Sequence, residues 1–108
     1  MEIRGTAMKE VILSADGKGK IYSVPEEAAE NLEKYCEEFR DWIWTNPNGA
    51  KLLQKRNGQT VAVYTEADFV DYLNEWIFPH QQSAIVEELD FWFYEIPEKY
   101  EEYPRYNF

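Results

Sequence analysis

The sequence predicts a single α+β domain whose elements run β-β-α-β-α, followed by a mixed, aromatic C-terminal tail. Three observations carry that expectation. Two short β-prone runs flank a glycine-containing loop at residues 15–19, apolar residues recur at helical spacing over residues 25–44, and a capping pair opens a second helical run at Thr65. Such an order suits a small antiparallel or mixed sheet packed by helices.

Residues 9–14 contain Val11, Ile12 and Leu13, and residues 20–24 contain Ile21, Tyr22 and Val24. The intervening Ala15-Asp16-Gly17-Lys18-Gly19 reads as a hairpin loop in which the glycines take positive φ. Pro25 ends the second strand and suits the first turn of a helix. That helix is expected to run to about Trp44, with Ala28, Leu32, Tyr35, Cys36, Phe39 and Ile43 on its buried face. Asn46-Pro47-Asn48-Gly49 stops it.

Residues 50–58 carry Lys51, Lys55 and Arg56 with no acid, and form the one basic stretch. Asn57-Gly58 then turns the chain into a strand over residues 59–64, with Val61 and Val63 on one face. Thr65 and Asp68 have capping-box spacing and open a helix to about Ile77. Phe69, Leu73, Trp76 and Ile77 give its buried stripe, and Pro79 closes it. Residues 83–90 fit either a helix or a strand, because Ile85, Val86 and Leu89 suit both over so short a run. Residues 97–102 read as a helical turn and residues 103–108 as extended chain. Residues 1–7 read as a loosely ordered extension, with Met8 as an alternative translation start, and residues 8–108 as the domain.

Composition bounds the function. The 108 residues include 6 Phe, 4 Trp and 8 Tyr, enough for a core without disulfides. The lone cysteine, Cys36, excludes an internal disulfide and points to a reducing, cytoplasmic setting. There is no apolar run of membrane-spanning length. The net charge of −10 opposes direct binding to nucleic acid or to an anionic membrane, and favours a basic protein surface as partner.

The placement of the acids is more informative than their number. Glu26, Glu30, Glu33, Glu37 and Asp41 recur at three- and four-residue steps on the first helix. At 100° and 1.5 Å per residue they form one stripe with members about 5–6 Å apart, close to the spacing of phosphates along an extended strand. Neighbouring like charges repel by roughly 0.2–0.5 kcal/mol per pair, relieved in part by Lys34 and Arg40. The second helix adds Asp68, Asp71 and Glu75 with no base. A solvated face opposite the core also explains such a stripe. Solubility alone usually yields a mixture of Lys and Glu, however, and one sign on both helices costs stability. The tail offers a second contact surface, with Trp92, Tyr94, Tyr103 and Tyr106 as candidates among aromatic residues too dense for all to be buried.

Catalytic constellations are incomplete. Cys36 falls on an apolar helix face, which suits an inert core thiol. His80 is the single histidine and has no ligand spacing with another soft donor. Gly17 and Gly19 lack the phosphate-loop spacing. Paired carboxylates are inevitable among 21 acids, so a carboxylate-dependent nuclease is the weakest of the readings. No catalytic residue, metal site or cofactor is assigned.

The stretches at residues 13–17, at residues 68–79 (Asp68-Phe69-Val70-Asp71-Tyr72-Leu73-Asn74-Glu75-Trp76-Ile77-Phe78-Pro79), at residues 96–100 and at Tyr106-Asn107-Phe108 resemble a group of small acidic proteins of Gram-positive phage and conjugative elements. Proteins of this size and charge on such elements include anti-CRISPR inhibitors. The resemblance therefore implies an inhibitor in the bacterial host cytoplasm, with a Cas effector as the basic partner. It transfers no functional residue. An antitoxin or immunity-type module that neutralises a basic toxin, anchored by the aromatic tail, is the alternative.

Overall fold

Three consecutive apolar residues cannot all face one side of a strand, so Val11-Ile12-Leu13 demands cover on both faces. A computed structural model, which describes residues 7–108, shows how that cover is provided. The strand β1 (Met8–Ser14) pairs antiparallel with β2 (Lys18–Pro25), and β2 pairs antiparallel with β5 (Ala84–Trp92). On its other side β1 pairs in parallel with β6 (Arg105–Asn107). The resulting four-stranded sheet has the order β5-β2-β1-β6. Val11, Ile12 and Leu13 are each fully buried.

One face of the sheet receives α1 (Glu26–Glu30) and α2 (Leu32–Thr45), together with α3 (Glu66–Tyr72). Val11, Leu13, Tyr22 and Val24 meet Ala28, Leu32, Tyr35, Cys36, Phe39 and Ile43 there. The helix-face residues expected to be buried are all buried. Phe39 is the hub. Its ring centroid lies 5.2 Å from Tyr72, 5.4 Å from Tyr64, 5.6 Å from Phe69 and 5.9 Å from Phe108. The opposite face is thinner: Ile12, Ile21 and Leu89 are covered by Ile96, Tyr100 and Tyr103 of the tail.

The α+β class and the element order are as expected, with corrections in detail. The hairpin loop does not use its glycines for positive φ; Asp16 takes that conformation at 55°. Asp16 is held by Asn107, whose side-chain oxygen accepts the Asp16 backbone N–H at 2.8 Å and whose amide donates to Asp16 Oδ1 at 3.0 Å. Gly19 serves close approach instead, since a Cβ there would lie 2.9 Å from Ile96 Cδ1 and 3.0 Å from Ile12 Cγ2. Pro25 is the last residue of β2, so the helical segment begins at Glu26.

The expected single helix is two. Asn31 leaves helical geometry at φ −124° and ψ 38°, and its side-chain amide donates to Glu27 O at 3.0 Å. Asparagine competes for helix carbonyls in this way, which accounts for the break. The strand expected over residues 59–64 is shorter, β4 (Gln59–Ala62), and lies outside the main sheet. It pairs with β3 (Leu53–Arg56) across Asn57-Gly58, where φ values of 52° and 78° suit a tight hairpin turn.

The Thr65–Asp68 capping box forms: Thr65 N–H donates to Asp68 Oδ2 at 2.9 Å, and Thr65 Oγ1 accepts from Ala67 N–H at 3.3 Å. The second helix does not stay α-helical to Ile77. Residues Leu73–Ile77 form a π turn, closed by Phe78 N–H to Leu73 O at 2.7 Å. The wider turn rotates the following side chains, so Trp76 is 48% exposed rather than buried. Residues 84–92 resolve as strand. Asn74 fastens the start of β5, accepting Ser83 N–H at 2.6 Å and donating to Ser83 O at 3.0 Å. The tail is part of the core, since Phe108 packs on Phe69 at 5.3 Å. The expected loose extension at residues 1–7 lies outside the described residues except for Ala7, whose carbonyl accepts Glu26 N–H at 3.0 Å.

Candidate functional site

The core face of α1 and α2 leaves their other face to solvent, and that is where the acids lie. Glu26 and Glu30 on α1, and Glu33, Glu37 and Asp41 on α2, are all exposed. The turn at Asn31 divides the five, so the stripe bends between Glu30 and Glu33 instead of following one straight axis.

The two basic residues on these helices do not neutralise the stripe. Lys34 Nζ lies 3.9 Å from Glu38 and 5.4 Å from the Tyr35 ring centroid. Arg40 donates to Tyr106 Oη at 3.2 Å, and this contact raises the guanidinium pKa above its ordinary value. Among the described residues, ion pairs within 4 Å join Lys18 to Asp90, Lys20 to Glu66 and Lys34 to Glu38. None involves the five acids. Arg40 does share a shallow open groove with Glu37, Asp41 and Trp44.

Asp71 and Glu75 are exposed and Asp68 is half-buried through its capping bond. These three sit beside Trp42, Trp76 and Lys51 in a narrow cleft of about 20 Å³. Lys51 of the basic stretch thus reaches the acids of the second helix, whereas the groove beside Glu37 and Asp41 is lined by Arg40 and Trp44.

The tail candidates divide in two. Trp92 is 54% exposed and Tyr94 84% exposed. Tyr103 is half-buried in the thin cluster and donates to Glu10 at 3.2 Å, and Tyr106 is half-buried against the main core. Two features were not read from sequence. Glu66, only 3% exposed, pairs with Lys20 from β2, a contact of long sequence separation with no local signal. The free edge of β5 displays Ile85 and Val86, a surface hidden as long as that segment could be a helix.

Burial raises the Tyr22 phenol to about 12, with the Glu66, Glu88 and Asp71 carboxylates adding to the effect. Burial likewise lifts Tyr35 to about 12, helped by its hydrogen bond to Glu27. Cys36 is pushed well above the usual thiol range by burial, and such a thiol is unreactive. No group of three or more His, Cys, Asp or Glu among the described residues is arranged to hold a metal ion. No helix among them is long and apolar enough to cross a membrane.

Comparison with protein-family models, curated proteins and solved structures finds no match.

Proposed function

We propose that this chain is a non-enzymatic binding protein that presents the outer face of α1 and α2 to a basic groove on a partner protein. One observation carries the reading: five exposed carboxylates lie on the outer face of a helix pair, and none has a cation of the described residues within 4 Å, although Lys34 and Arg40 stand on the same helices. Like charges at helical spacing cost stability. A partner supplying Lys and Arg recovers that cost, and long-range attraction speeds the encounter.

In its most specific form the partner is a Cas effector, whose guide–target channel is positively charged. This form draws on the resemblance to mobile-element proteins, and the geometry contributes only an anionic surface of suitable spacing. The test is the triple variant Glu30→Lys, Glu33→Lys, Glu37→Lys in an assay of target cleavage by a Cas effector. Loss of inhibition with an unchanged circular dichroism spectrum is expected. Full inhibition by the triple variant removes this face from consideration.

The exposure of Trp92 and Tyr94 favours a second reading, the antitoxin or immunity-type module with an aromatic anchor. Truncation after Asp90 cannot test it, because that cut removes β6 and Phe108 from the core. The substitutions Trp92→Ala and Tyr94→Ala serve instead, with loss of toxin neutralisation as the supporting result.

A further inference from the structure

We propose that the outer edge of β5 is a docking site for an extended, basic segment of a partner protein, which adds to the sheet as a fifth strand. The site goes beyond the helix-face reading, since it offers main-chain bonds on a different element.

The edge is long and open. β5 spans nine residues at the end of the sheet order, and among the described strands it pairs with β2 alone. Among the described residues, no backbone group of residues 84–92 bonds to any element other than β2. An unpaired edge of this kind is a template for strand addition. Proteins commonly blunt such edges with charges, proline or bulges. β5 has no lysine or proline, and its charged residues, Glu87, Glu88 and Asp90, are all acidic, so they guard the edge against a second copy and leave it receptive to a basic strand. Its register with β2 slips on both sides of the Lys20–Ile21 pairs, leaving Val86 unpaired and 52% exposed.

Charge decides between occupants. Apolar side chains stand at both ends of the strand, with Ile85 49% exposed, Phe91 38% and Trp92 54%. Glu87 and Glu88 lie between them, both exposed, one on each face of the sheet. An antiparallel second copy centred on Glu87 or Glu88 sets that acid opposite its own counterpart, which is destabilising. A partner strand with two adjacent basic residues, flanked by β-branched or aromatic residues, turns both contacts attractive. Asp90 is already engaged by Lys18 at 2.7 Å and is not needed.

The probe is a capped nine-residue peptide with Lys-Lys at its centre and Val and Thr on either side. Two controls accompany it: the same peptide with Glu-Glu at the centre, and the Lys-Lys peptide N-methylated at alternate residues. Amide chemical shifts of the full chain are followed during titration. The expected result is perturbation confined to β5 and its neighbours by the Lys-Lys peptide, and none by either control. Glu87→Lys with Glu88→Lys weakens binding about three- to tenfold. The proposal is overturned by absence of binding, by equal binding of the N-methylated peptide, or by dimerisation through β5. Shifts confined to α1 and α2 overturn it as well, while favouring the helix-face reading, so the two can fail separately.

Discussion

The two faces of the sheet are held very differently. On one, Val11, Leu13, Tyr22 and Val24 lie beneath helices centred on the fully buried Phe39. On the other, Ile12, Ile21 and Leu89 have Ile96, Tyr100 and Tyr103 packed against them, a smaller cluster among the described residues. The thick side carries the exposed acids on a deeply packed support, so charge reversals there are expected to leave the fold in place. The thin side borders β5, whose one buried residue is Leu89. The two proposed docking surfaces therefore differ in what supports them: the acidic helix face rests on the large cluster around Phe39, and the β5 edge on a strand with a single buried residue, of the kind expected to open more readily.

The largest contrast comes from truncating each side. Phe39→Ala is expected to cost about 3–5 kcal/mol by urea denaturation, because it empties the centre of the aromatic cluster. Leu89→Ala is expected to cost less, about 2 kcal/mol, since a rim site collapses more readily. Equal losses would mean that the two faces contribute alike and would break the comparison.

High pH sharpens it further, because Tyr22 and Tyr35 both belong to the thick side. Below pH 10 both phenols keep their proton whether folded or unfolded. Between their ordinary value of 10.0 and about 12 the unfolded phenols ionise first. Stability therefore falls as pH rises through that window. Tyr22→Phe and Tyr35→Phe should flatten the decline in a series of denaturation midpoints. The smallest effect is expected at Thr65→Ala, which removes one capping acceptor for about 1 kcal/mol. Far-ultraviolet circular dichroism during urea titration measures it.

What was legible in the sequence was local. The first hairpin, the buried face from Ala28 to Ile43 and the Thr65–Asp68 cap each follow from residues a few positions apart. The parallel pairing of β6 with β1 was not legible, because it joins Ile12 to Arg105 across most of the chain. Neither was the Lys20–Glu66 pair, for the same reason. Asn31 was a missed local signal: an asparagine between Glu30 and Leu32 already offers the side-chain amide that interrupts the helix. The acidic stripe was readable as spacing and its bend follows from Asn31, but the turning of Arg40 toward Tyr106 depends on the tertiary arrangement. The β5 edge escaped because Ile85, Val86 and Leu89 satisfy two periods at once.

The enclosure of Cys36 has a practical corollary. Its sulfur has no solvent contact and its proton is tightly held, so an alkylating reagent reaches it only when the whole core opens. The rate of modification then serves as an internal clock for global opening. A second cysteine placed at Val86 would be the sole labelling point in the folded molecule, allowing a dye to watch β5 while the native thiol stays silent.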